Sequence, residues 1–173
     1  MPVDRDDERG NPPGPSCELL TFRLDEERFA VRARLVHEVV RAVAVAGLPD
    51  APPIIGGAVN YRGRVVPVIR VRRRLGLEAR ELHPSHHFIV ADVGWRQVAL
   101  WVDEALDLIS VDEDAIESAA RTAPGATYTE GIARLPDGLI VIHDLERFLS
   151  LEEGEALDAA MDAGHSTADE RVP

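Results

Sequence analysis

Apolar and polar positions along this chain change every few residues, and the spacing is that of strands more often than helices. Leu20, Phe22 and Leu24 alternate with Thr21, Arg23 and Asp25, the period of two expected of a half-buried strand. Asp25 to Arg28 supplies a turn, and Phe29 to Val31 returns. Residues 34–41 fit one or two helical turns, but Val36, Val39, Val40 and Val43 suit a strand equally well, so the pattern leaves both open. Further on, 88–92, 97–102 and 106–111 read as strands, with Gly94-Trp95 turning between the first two. Residues 132–135 and 139–143 form a last hairpin around Pro136-Asp137-Gly138. Short helical stretches are expected at 72–76, stopping at Gly76, and at 112–120. A further helix is capped by Asp144, runs through 149–150 and continues over 152–161. Segments 77–85 and 121–129 read as loops. Many short strands separated by turns point to barrels or sandwiches rather than to a parallel sheet.

The run 52–71 carries the most information. Ile54-Ile55 and Ala58-Val59 lead into Asn60-Tyr61-Arg62-Gly63, and Val65-Val66-Pro67-Val68-Ile69 leads out. This is a hairpin that presents an arginine, with Asn60 and Gly63 expected to supply the positive φ of a tight connection. Gly56-Gly57 lets the incoming strand bend or approach another backbone, and Pro67, which cannot donate, implies an edge strand or a bulge.

These residues resemble the signature of the CheW-like family, the small adaptor domains of bacterial chemotaxis. Gly57, Asn60, Arg62, Gly63, Pro67 and Val68 fit its Gly-x-x-Asn-x-Arg-Gly-x-x-x-Pro-Val pattern. Phe29-Ala30-Val31, Val36-His37-Glu38-Val39-Val40, Leu48-Pro49, Leu75-Gly76-Leu77, Val102-Asp103-Glu104, Gly131-Ile132-Ala133 and Leu139-Ile140-Val141 follow in family order. The resemblance implies an all-β fold with short helices: two SH3-like five-stranded β-barrels joined face to face, with a C-terminal helix. Around it, 1–16 is expected to be a disordered head, 17–150 the CheW-like domain, and 151–173 an acidic helix and tail that frays from Asp162.

The same resemblance implies a noncatalytic adaptor with two partners, the regulatory domain of a CheA-type histidine kinase and the cytoplasmic tip of a methyl-accepting chemoreceptor. Val36, Glu38, Val39, Asn60, Arg62 and Gly63 are the partner-binding residues it points to, and Gly56, Gly57 and Pro67 the structural turn. A bidentate Arg62–Glu38 contact could lock the hairpin to the body, shape a partner's groove, or do both. Val36, Val39 and Val40 belong either to the core or to that groove. One departure stands out: Arg70 occupies a position where the family commonly has an acid, which bears on kinase coupling. A receptor-only adaptor is therefore one rival reading, and a small-ligand or nucleic-acid-binding β-barrel is another.

Composition narrows these choices. The 173 residues suit one domain with tails, and 45% hydrophobic content suffices for a core. No apolar run approaches the roughly 20 residues that span a bilayer, and no signal sequence opens the chain, so a cytoplasmic protein is expected, with possible recruitment to membrane-associated receptor arrays. Cys17 stands alone, which removes internal disulfides and cysteine metal clusters. A net charge of −12 disfavours nonspecific binding to nucleic acid or anionic membranes. All 19 basic residues are Arg, and Arg62, Arg64, Arg70, Arg72, Arg73, Arg74 and Arg80 crowd the middle. Such a patch can grip phosphate or stack on bases, but its simplest reading is a solvated surface.

No phosphate loop, nucleophile elbow or His-Glu-x-x-His motif occurs. Asp103, Glu104 and Asp107 read as a solvated strand end. His83, His86 and His87 have metal-ligand character, but adjacent histidines in a strand face opposite ways and no Cys completes a set, so an exposed loop without metal is expected. His37 and His143 read as packed or rim residues. No cofactor and no catalytic residue are assigned.

Overall fold

A computed structural model describes residues 14–122 and 124–168, with the side chains of 165–168 left aside. Eleven strands and three α-helices follow one another along these residues. They are β1 (Ser16–Leu24), β2 (Glu27–Arg32), β3 (Val36–Arg41), β4 (Ile55–Tyr61), β5 (Arg64–Arg70), α1 (Val71–Arg74), β6 (His87–Val93), β7 (Arg96–Val102), β8 (Glu104–Asp112), β9 (Ile116–Ser118), α2 (Ala119–Thr122), β10 (Thr129–Leu135), β11 (Gly138–His143) and α3 (Leu151–Ala168).

Two sheets result, ordered β8-β1-β2-β11-β10-β9 and β3-β6-β7-β5-β4. Each contains one parallel pairing, β2 with β11 and β5 with β7, among antiparallel ones. The second sheet closes on itself. Beyond β3 the chain returns to the opposite edge, where Ala46 and Ala58 exchange two backbone hydrogen bonds of 2.9 and 2.8 Å. Gly57, at φ +134°, makes this approach possible, because a Cβ there would lie 2.2 Å from the Ala46 carbonyl oxygen. In the first sheet a 3-10 turn, Glu113–Ala115, links the edge strands β8 and β9. The architecture is thus the expected all-β pair of barrels with short helices, the first sheet having six strands instead of five.

Alternate side chains of the shared strands enter different cores. Leu19 packs in the first barrel and Leu20 between the barrels, while Val68, Phe88 and Ala99 fill the second barrel and Ile69, Ile89 and Leu100 meet the first. Burial on both faces replaces the half-buried pattern expected of β1: Thr21 is buried too, its hydroxyl donating to the Asp107 carbonyl and accepting the Asp107 N–H, both at 3.0 Å. Leu145, Phe148, Leu149 and Leu157, near the C terminus, complete the shared core.

Several local expectations change. Residues 34–41 resolve into a 3-10 turn, Ala33–Leu35, followed by strand β3, because the valines have a sheet to join at β6. Residues 112–120 form a strand end, a 3-10 turn, a short strand and the start of α2 instead of one helix. Pro67 lies in an internal strand. Ala58 opposite it spends its backbone groups on Ala46, and pairing of β5 with β7 starts only at Val68, so proline's missing N–H breaks no ladder bond. The irregularity is in β4, between Ile55 and Gly57.

Asp144 caps only a 3-10 turn, Leu145–Arg147. The helix after it starts anew from a capping box: the Glu153 N–H donates to Ser150 Oγ at 3.1 Å and the Ser150 N–H to the Glu153 carboxylate at 2.9 Å. That helix, α3, continues past Asp162 to Ala168. The expected head at 1–16 lies outside the described residues as far as 13; Ser16 already belongs to β1, and the Pro15 carbonyl accepts the Glu113 N–H at 2.9 Å. No helix is long and apolar enough among the described residues to cross a membrane.

Candidate functional site

The signature hairpin turns on two residues. Tyr61 pairs with Arg64, leaving Arg62 at φ 51° and Gly63 at φ 79°, the two successive positive φ values of a type I′ connection. Asn60 was expected to adopt one of them. It stays in β4, and its side-chain carbonyl instead accepts the Gly63 N–H at 2.9 Å, bracing the turn. An arginine therefore takes the left-handed position, a conformation that few residues with a β-carbon adopt.

Three side chains meet because the second barrel is closed. Glu38 stands on edge strand β3, and the hairpin ends the opposite edge strand β4. Across this seam one Glu38 oxygen accepts from the Tyr61 hydroxyl at 2.5 Å and from Arg62 Nη2 at 2.8 Å. The Arg62 guanidinium also lies 5.3 Å from the centre of the Tyr61 ring. The Tyr61 hydrogen bond, with the Arg62 charge behind it, holds the Glu38 carboxyl below the usual carboxylate range, and the same bond pushes the Tyr61 hydroxyl up. Glu38 is thus a fixed anion, while Arg62 remains 73% exposed.

Beside Glu38 a groove of about 780 Å³ runs between β3 and the β1–β8 pair. Leu20, Val36, Val39 and Leu108 give it an apolar lining, and Arg32 and Glu113 stand at one side. Val36 and Val39 are partly buried against the shared core, so they serve core and groove together, whereas Val40 packs against the second barrel's own core. Arg32 is clamped between Glu113 and Glu130; its bonds to these acids push its pKa up and hold Glu113 down. Leu108 is 59% exposed in this setting.

Of the residues singled out from sequence, Val36, Glu38 and Val39 line the groove, Arg62 reaches it through Glu38, and Asn60 and Gly63 build the turn without lining it. Tyr61, Leu108 and the Arg32–Glu113 pair were not anticipated. Tyr61 had a signal in its place beside Arg62, but the others are brought to the groove only by the packing of one barrel on the other.

The remaining clusters are structural. Asp103 is no solvated strand end: its side chain is 11% exposed and paired with the buried Arg72, which also binds Asp25 at 2.9 Å. Burial alone would push the Asp103 carboxyl up, but Arg72 and the Asp25 backbone N–H hold it down. Glu104 pairs with Arg23 at 2.6 Å. The histidine loop is not fully exposed either. His86 is buried, and its Nδ1 accepts from the His83 N–H and from Trp101 Nε1, both at 3.1 Å. No group of three or more His, Cys, Asp or Glu is arranged to hold a metal among the described residues. His37 pairs with Asp92 at 3.0 Å, and His143 is buried with Nδ1 3.2 Å from the Tyr128 carbonyl oxygen.

Two fused barrels, a groove between them and a locked hairpin at its rim define an all-β interaction domain. Comparison with known proteins gives the family: residues 18–153 match the CheW-like domain, and the chain belongs to that family. It is 30% identical to the chemotaxis protein CheW of Rhizobium meliloti over 141 residues, 80% of this chain and 91% of that protein. The Bacillus subtilis CheW is 29% identical over 141 residues, 80% of this chain and 90% of its own length. Among solved structures, the scaffolding protein TtCheW from Thermoanaerobacter tengcongensis superimposes with a TM-score of 0.73 at 29% identity, covering 80% of this chain and 96% of that one.

Proposed function

We propose that this protein is a noncatalytic cytoplasmic adaptor that couples chemoreceptors to a CheA-type histidine kinase. The observation that carries the reading is the groove beside the locked Glu38, where Val36, Val39 and the exposed Leu108 offer an apolar stripe next to a fixed anion. A helix with one apolar face and a polar or basic flank suits that surface, and a receptor's cytoplasmic tip is a helical partner of this kind. Glu38, Val36 and Val39 contact the receptor, while Asn60, Arg62 and Gly63 act by holding Glu38 and the rim in shape. A barrel surface away from the groove docks the kinase's regulatory domain, so that the work is geometric: both partners are held at a fixed separation. Membership of the CheW-like family supports the partner classes.

The test is affinity for a receptor cytoplasmic fragment, measured alongside thermal unfolding. Leu108→Arg places a charge in the groove at an already exposed position, so binding should fall at least about tenfold with little change in Tm. Unchanged binding would remove the groove from the reading.

A further inference from the structure

We infer that a second recess, at the far end of β5, is a binding site for a small phosphorylated molecule with a flat aromatic ring, of the nucleoside monophosphate class. The recess is formed by the end of β5, α1, the chain that follows and Trp101, and it encloses about 430 Å³. That volume lies within the range of roughly 300–1,000 Å³ typical of small-molecule pockets. In a protein of net charge −12 its lining contains four arginines, Arg70, Arg72, Arg73 and Arg80, and no acid.

The four are not equivalent. Arg72 is satisfied by Asp25 and Asp103, and Arg80 reaches the same carboxylates, with 2.5 Å to Asp25. Those two acids offset two charges behind the recess. Arg70 and Arg73 are exposed at its rim and make no side-chain hydrogen bond or ion pair among the described residues. Their guanidinium groups are open to the bidentate contact that suits a phosphate dianion. Gly56 leaves the space for Arg70, since a Cβ there would sit 3.2 Å from its Nε.

The rest of the wall calls for something other than a bare anion. Trp101 is half-buried, and its indole N–H is already committed to His86 Nδ1 at 3.1 Å, which fixes the ring and leaves stacking as its remaining capacity. Leu77 and Ala79 extend that apolar side. Aromatic stacking and phosphate gripping within one recess is how proteins hold a nucleotide without reading its base closely. A recess of this size favours a small molecule over an acidic protein segment.

The probe is adenosine monophosphate, titrated into the full chain carrying Trp95→Phe so that Trp101 is the sole tryptophan reporter, with calorimetry as a second readout. We expect saturable quenching, with adenosine and inorganic phosphate each at least about tenfold weaker, because each supplies only half of the contacts. Arg70→Glu with Arg73→Glu should weaken binding by at least about tenfold at unchanged Tm, since neither side chain holds a partner among the described residues. Arg121→Glu, an exposed arginine elsewhere, should bind as before. The inference is overturned if nothing saturates at millimolar nucleotide, if the double variant binds equally well, if inorganic phosphate matches the nucleotide, or if an acidic peptide binds in preference to it.

Discussion

Replacing Gly57 with alanine should open the second barrel, and the size of the effect follows from the geometry. The residue sits at φ +134°, where a side chain is strained whatever the space, and its Cβ would come within 2.2 Å of the Ala46 carbonyl oxygen and 2.6 Å of Val45 Cγ1. Backbone strain of this kind costs about 1–3 kcal/mol. The clash cannot be relieved without moving Ala46, which forfeits the two Ala46–Ala58 hydrogen bonds. At about 0.5–1.5 kcal/mol each these add about 1–3, so the loss centres on about 4 kcal/mol.

Gly63→Ala is the internal control. It too has positive φ, at 79°, but nothing lies within 4 Å of the new Cβ, so only the left-handed penalty of about 1–2 kcal/mol applies. For a chain of this size 1 kcal/mol moves Tm by about 2–4 °C. Gly57→Ala should therefore lower Tm by about 8–16 °C and Gly63→Ala by about 3–6 °C. Differential scanning calorimetry on both variants is the assay. Equal shifts would refute the argument that the Ala46 approach closes the barrel.

Three further outcomes are expected. In a spectrophotometric titration of the two tyrosines, Glu38→Gln should bring the raised Tyr61 transition back toward the ordinary value, and an unmoved transition would separate Tyr61 from Glu38. Arg72→Ala takes away the main partner of the Asp103 carboxylate, leaving it the Asp25 backbone N–H at 2.8 Å and the exposed Arg80 at 3.7 Å, so urea unfolding should show a loss of about 3 kcal/mol; less than about 1 would mean that Arg80 or water replaces the pair. Burial holds the His143 ring below its ordinary value, opposed by its contact with the Tyr128 carbonyl, and its Nε2 is buried without a partner among the described residues. The folded state thus binds fewer protons than the unfolded one, and stability falls as pH drops below about 6.5, by at most about 1.4 kcal/mol per pH unit. His143→Leu should flatten that limb, although the lowered His86 leaves part of it.

Strand-forming segments were legible because their periodicity is local: β6, β7, β8 and the β10–β11 hairpin lie where the apolar runs and turn residues put them. What could not be read depended on contacts from distant segments. Thr21 looks like the polar side of a half-buried strand until Asp107 of β8, 86 residues on, supplies both its hydrogen-bond partners. Asp103 looks solvated until Arg72, 31 residues away, is folded against it. Arg62 was legible as the displayed residue, but the left-handed position went to it instead of Asn60, because the Asn60 side chain is used to hold the Gly63 N–H. Glu38 and Arg62 were legible as a pair, whereas the third member, Tyr61, and the groove wall at Leu108 needed the closed barrel and the barrel–barrel seam.

The most direct measurement mixes purified protein with its cognate kinase regulatory domain and a receptor cytoplasmic fragment, and follows the complexes by size-exclusion chromatography. The wild type should carry both partners in one peak, and Arg62→Ala should retain the kinase domain while losing the receptor fragment, with its Tm little changed. A wild type that binds neither folded partner, or an Arg62→Ala variant that carries both as the wild type does, would contradict the account.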